Sequence, residues 1–246
     1  MRQAGGMTTT DRWTQAVKRQ LRLGRLLPLG GPHDGAWISE EAAELVLRRA
    51  AEDMRGVRLD ALRIALIDPD DADEAAVPPP PSALPPGPLR VTADFAATAT
   101  GPLPTTAERL RGLLTAAAAE RLGLPVTEVD LRVTALLDEG AESAPVRQPE
   151  PAQAAEPQNP DEERLAAAAL AVPGVTRLTG ALGGLGRAVH IEERQDEAAL
   201  PRRHARVEIA VSADHRAVEV AREVRRKVGE ALPDHPTVAV LVTAVG

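Results

Sequence analysis

The stretch VPGVTRLTGALGGLG, Val172 to Gly186, decides how the chain is read. Pro173-Gly174 halts an alanine-rich helical run, Val175–Leu178 favours a strand, and glycine then dominates. Such a stretch is either a phosphate cradle opening an enzyme or a joint between elements. Its first half has a counterpart upstream. RGVRL, Arg55 to Leu59, lies over PGVTRL, Pro173 to Leu178, with one extra residue in the second copy. The match continues outward. RVTADF (Arg90–Phe95) lies over RVEIAV (Arg206–Val211), the helix Thr106–Leu122 over Arg216–Leu232, and LRVT (Leu131–Thr134) over VLVT (Val240–Thr243). Each half then reads helix, two or three strands, helix, strand. The expected fold is α+β: two tandem, duplicated domains, each a small sheet packed with two helices.

The repeat also answers the glycine question. A phosphate loop needs G-x-x-x-x-G-K-[ST], or G-x-G-x-x-G between a strand and a helix, so that helix amides face the anion. Here a strand follows Gly180–Gly186, and the first half has no glycine cluster at the matching place. The stretch reads as a flexible connector.

Composition narrows the function classes. The chain has 246 residues and no cysteine, which excludes disulfides and cysteine-ligated zinc. Its aromatics are Trp13, Trp37 and Phe95, so the core must come from Val, Leu, Ile and Ala. A net charge of -7 argues against a general nucleic-acid binder, which needs a basic face for phosphates. The N-terminus lacks the apolar core of a secretory signal, and no run approaches the ~20 apolar residues of a membrane span. The expected location is cytoplasmic.

Along the chain, residues 1–35 read as a tail holding an amphipathic helix, Asp11 to Leu27, with Trp13, Val17 and Leu21 on one face. The first repeat spans 36–138. Its opening helix runs from Ser39 to Met54, and strands carry Leu62, Ile64 and Leu66, then Leu89, Val91, Ala93 and Phe95. Residues 68–88, acidic then proline-rich, read as a long exposed loop. A second helix is expected with Thr105 or Thr106 as N-cap, and a strand then turns Val129, Leu131, Val133 and Ala135 one way. Residues 139–160, rich in Glu, Ala, Gln and Pro, read as a disordered linker. The second repeat spans 161–246. Its last helix carries the stripe Val220, Val224, Val228 and Leu232.

No constellation specifies a chemistry. His190, His204, His215 and His235 lack zinc spacing, and no carboxylate pair suits acid–base work. No catalytic, cofactor-binding or metal residues are assigned, and no cofactor is expected. Arg222, Arg225 and Arg226 form a basic cluster interleaved with Glu219, Glu223 and Glu230 at ion-pairing spacing. The candidate interaction residues are Trp13, Val17, Leu21, Arg222, Arg225 and Arg226. The alternative function is a nucleic-acid-binding module using Arg202, Arg203, Arg206, Arg222, Arg225, Arg226 and Lys227.

Val172–Val175, the Gly180–Gly186 joint, the helix Val218–Val228 and the valine-rich Val238–Val245 together resemble the alkaline shock protein family of envelope stress response proteins. The whole chain is similar to two-copy actinobacterial relatives, some labelled nucleopolyhedrovirus P-ten family. The resemblance implies a non-enzymatic scaffold that self-associates and binds a small membrane-anchored protein at the inner face of the membrane. It departs from the pattern at VSADHRAV (Val211–Val218), which lacks the aromatic-glycine turn and proline of the family's strand-to-helix joint.

Overall fold

The computed structural model describes residues 24–138, 153–182, 186–194 and 202–246. In chain order it opens with β1 (Leu26–Pro28), β2 (Ala36–Ser39), α1 (Glu40–Glu52), β3 (Val57–Leu66) and β4 (Leu89–Thr98). Next come α2 (Leu103–Ala116), which runs into a π-helical turn over Ala117–Leu122, and β5 (Val126–Leu137). The second half holds α3 (Pro160–Leu170), β6 (Val175–Leu178), β7 (Val189–Arg194), β8 (Arg202–Val211), α4 (Ala217–Glu230) and β9 (Thr237–Val245). The mixed α+β class expected from the sequence holds.

Capping chemistry sets the helix starts. Ser39 Oγ accepts from the Ala42 amide at 3.2 Å, and Glu40 and Glu41 sit at the positive end of α1. The Asn159 side chain accepts from the Glu162 amide at 2.9 Å, while the Glu162 carboxylate accepts from the Gln158 amide at 2.8 Å. With Pro160 leading, this is a reciprocal cap that fixes the start of α3. α2 departs from expectation. Pro102 is its N-cap and the helix begins at Leu103, before either threonine, because Pro104 already carries the helical φ of a first turn. Thr106 Oγ1 instead donates back to the Pro102 carbonyl at 3.4 Å.

The strands form two sheets. In the first, β4 lies between β3, antiparallel, and β5, parallel across α2. In the second the order is β1-β2-β9-β8, and β8's far edge is shared by β6 and β7. β8 and β9 run parallel across α4. β2 pairs parallel with β9, Trp37 opposite Leu241. Thus a strand that the sequence counts within 36–138 belongs to the second sheet, and the sheets do not keep to the division at 139–160. Leu26 and Leu27, read as the end of the amphipathic helix, lie in β1 instead. Trp13, Val17 and Leu21 lie outside the described residues.

Strand alternation puts Val207, Ile209, Val211, Val240 and Val242 on one buried face, under the α4 stripe Val220, Val224 and Val228. α1 packs on both β3 and β9, so one apolar core joins the two sheets. The opposite face of the second sheet carries Leu26, Trp37, Ala239 and Leu241, with Val77 and Leu182 packed on them. The loop expected over 68–88 is a loop, largely exposed over its acidic half, but its proline-rich half lies partly buried on this face. Val77, Pro80 and Pro86 are buried, Trp37 Nε1 donates to the Leu84 carbonyl at 3.1 Å, and the Leu84 amide donates to the Leu26 carbonyl at 2.8 Å. Proline suits such a cover, because it has no N–H to leave unsatisfied over an apolar face. The linker needs a similar correction at its end. Gln153 and Ala155 bridge to Thr179 and Arg187, so 153–159 is docked, while 139–152 lies outside the described residues.

The two sheets share pairing details. Val57, Arg58 and Leu59 oppose Ala97, Ala96 and Phe95; Val175, Arg177 and Leu178 oppose Val211, Ala210 and Ile209, with Thr176 as the extra residue. Gly56 (φ 73) and Gly174 (φ 91) lead into these strands with left-handed backbone, and their carbonyls accept from Thr98 at 2.9 Å and Ser212 at 2.8 Å. The β4–β5 and β8–β9 parallel ladders each bulge at a threonine, Thr134 and Thr243, and β4–β5 bulges once more at Thr127. Thr134 Oγ1 donates to the Phe95 carbonyl at 3.3 Å, and Thr243 Oγ1 to the Ile209 carbonyl at 3.4 Å. Phe95 therefore corresponds to Ile209, two residues from the match of RVTADF to RVEIAV. A two-residue slip keeps every side chain on its face, so letters alone do not detect it.

Candidate functional site

The glycine-rich joint is an anion cradle after all, and its anion is the chain's own. Glu208 is fully buried in β8, and its carboxylate accepts from the Ala181 amide at 2.7 Å and the Leu182 amide at 3.0 Å. These are amides a phosphate would otherwise use. Gly180 is required here, since a Cβ would lie 1.9 Å from the Gly186 carbonyl oxygen. Gly183, Gly184 and Leu185 lie outside the described residues. Sequence reasoning passes over Glu208, although a carboxylate inside the apolar alternation of RVEIAV is the available signal.

Further along the same face, His190, Glu192 and Arg194 of β7 oppose Arg206, His204 and Arg202 of β8. The stretch Pro78–Pro81 closes a cleft over His190, Glu192, Arg194, His204 and Arg206. Burial lowers the His190 pKa to about 4, helped by Arg206 and Arg187. Burial likewise lowers His204 to about 4, with Arg194 adding to it. Both rings are thus neutral at neutral pH. His204 Nδ1 lies 2.8 Å from Thr237 Oγ1. His190 Nε2 and Arg206 Nε are buried without a hydrogen-bond partner. Among the described residues, no group of three His, Asp or Glu side chains could hold a metal.

The structure brings Arg222, Arg225 and Arg226 together along α4, each with an internal partner. Arg222 forks onto Asp34 at 2.8 and 2.9 Å, tying the turn between β1 and β2 to the helix. That guanidinium holds the Asp34 carboxyl below its ordinary pKa. Arg225 donates to the His33 carbonyl, and Arg226 pairs with Glu223 at 2.6 Å and Glu230 at 2.9 Å. Elsewhere, Arg203 is held by Asp161 at 2.7 Å. Charges satisfied this way attract phosphate less than an unpaired basic face would.

A further surface is the outer edge of β5, which no strand covers. β5 pairs with β4 on one side only, and α2 leaves its far end bare: Val133 is 38% and Leu136 63% exposed. The matching positions of β9, Val242 and Val245, are buried, and β2 fills the matching edge. Thr134 explains the misplacement of Ala135, which its bulge turns away from the Val129–Leu131–Val133 face. The outward side of β5 is charged. Arg132 forks onto Asp94 at 2.9 Å through both Nε and Nη2, and Arg90 lies 2.5 Å from Glu128 and 3.4 Å from Asp130.

No helix among the described residues is long and apolar enough to cross a membrane. The chain matches no family model and no curated protein. Among solved structures it is similar to one described as "MamM CTD D249N - Zinc form", with 14% identity over 39% of this chain and 84% of that one. The TM-score is 0.26, a likeness too slight to carry an argument about fold or function.

Proposed function

We propose that this chain is a non-enzymatic interaction scaffold whose docking surface is the open edge of β5. One observation carries the reading: the edge of β9 is filled by β2, while the matching edge of β5 carries no strand, with only Arg111 Nε donating to the Val129 carbonyl at 3.1 Å, and is flanked by exposed Val133 and Leu136. An unpaired strand edge offers a row of backbone donors and acceptors to an incoming strand. The common order of strands, the paired glycines and the matching bulges at Thr134 and Thr243 support descent of the two halves from one duplicated unit. In that account the second unit acquired an internal strand where the first kept a free edge. The titratable groups fit a scaffold better than a catalyst, since Glu208 is occupied by backbone amides and both buried histidines are neutral. The alkaline shock resemblance extends the proposal to envelope stress and to a small membrane-anchored partner at the inner membrane face.

Hydrogen exchange tests the edge directly. In dilute purified protein the outward amides of Val126–Leu137 should exchange fast. In a bacterial membrane extract they should gain protection, while β2, already inside a sheet, stays unchanged. Equally fast exchange of β5 in both samples would overturn the docking role.

A further inference from the structure

We infer that the open edge of β5 takes a second copy of this chain, strand against strand and antiparallel, with Leu131 opposite Leu131. This rests on the edge reading above and names its occupant. The sequence of β5 is complementary to itself in that register. Asp130 meets Arg132 of the second copy and Arg132 meets its Asp130, while Val129 meets Val133 on the apolar side. Opposite charges directly across an antiparallel pair are favourable and like charges are not.

The alternatives fail on the same residues. Sliding by two residues sets Asp130 against Asp130 in one direction and Arg132 against Arg132 in the other. Sliding by one sets Leu131 against Arg132, turning an apolar face onto a charged one. The Thr134 bulge ends the regular ladder at Val133, leaving the rungs from Val129 to Val133. Both charges are exposed on the solvent face of the sheet, held by partners on β4. Arg132 is braced by Asp94 and 75% exposed; Asp130 lies beside Arg90 and is 65% exposed. Pairing would join them into one chain of alternating charge across the seam, Arg90–Asp130–Arg132–Asp94, with the central contact between copies. The two three-stranded sheets would become one of six.

The test uses the full chain and two charge reversals, Asp130→Arg and Arg132→Asp. Sedimentation should find the unaltered chain dimeric. Each variant alone should dissociate at least about tenfold more readily, the equivalent of ~1.4 kcal/mol, since each places like charges across both 130–132 rungs. Mixed, the two variants should form a heterodimer, because the first then carries arginine at both positions and the second aspartate at both, so each 130–132 rung again joins opposite charges. Misfolding could not produce that rescue, and circular dichroism of each variant checks the fold besides. An unaltered chain that stays monomeric overturns the second copy as occupant, while the docking edge answers to hydrogen exchange in extract. A dimer insensitive to either reversal, or folded variants that do not combine, would equally overturn this seam.

Discussion

Glu208 and His204 of β8 share one sheet face with His190 of the neighbouring β7, and burial treats the carboxyl and the rings differently. The carboxylate stays because backbone amides replace the water it lost. The imidazoles give up their charge instead, although the His190 ring keeps a hydrogen bond to the Arg187 backbone and His204 Nδ1 one to Thr237 Oγ1. Stability should follow the histidines as pH changes. Their folded pKa of about 4 lies below the ordinary 6.5, so the unfolded chain binds protons that the folded chain refuses. Stability is therefore full above pH 6.5 and falls as pH drops toward 4. The pair should cost on the order of 2–4 kcal/mol across that window, after discounting for partial exposure. Urea unfolding of the His190→Asn, His204→Asn chain should have a flatter pH slope than the unaltered chain. Asp34 and Glu40, whose pKa values are lowered, lose their contributions only further down, whereas burial raises Glu44, which works against the histidine slope; the difference between the double variant and the unaltered chain isolates the histidines. An unchanged slope would mean that the rings titrate normally in the cleft.

At the scale of elements, α4 is the most legible part of the chain. Its valines recur every four residues, and Val220, Val224 and Val228 are all buried over β8 and β9. Val224→Ala should cost about 1–3 kcal/mol by leaving a gap under the helix, read as a lower urea midpoint at constant slope. A cost near zero would put that face in solvent. β4 is equally readable, because Leu89, Val91, Ala93 and Phe95 alternate without a break. β1 and β2 are not. They are three and four residues long and fully buried, so neither shows the alternation by which a strand is recognised. The proline-rich cover passes for an exposed loop for a related reason. Proline forbids a central strand, but it does not forbid an extended segment lying flat across one. Of the candidate surface, the exposed Leu136 is in plain sight. Its meaning depends on α2 stopping short of it and on β2 joining the other sheet, and neither is local information.

Across the whole molecule, sequence organisation and spatial organisation diverge. The sequence reads as two matching units, yet α1 packs on both sheets and β2 lends its strand to the second. Pieces made by cutting between residues 139 and 152 should therefore remain together through gel filtration under native conditions. Residues 160–246 expressed alone should fold poorly, with Ala239 and Leu241 stripped of Trp37 and Val77. A well-dispersed NMR spectrum from that fragment would contradict the shared core. The β2–β9 pairing also governs how the chain is born. Ser39 and Thr243, which touch across it, are 204 residues apart. A ribosome releases the first of them long before it has made the second, at a rate of about 5–20 residues per second. For all of that interval Trp37 and Ile38 have no β9 to pair with, so the earliest strands synthesised are among the last to find their place. The nascent chain is then most dependent on a holding chaperone, and a pause in translation anywhere before β9 lengthens that exposure.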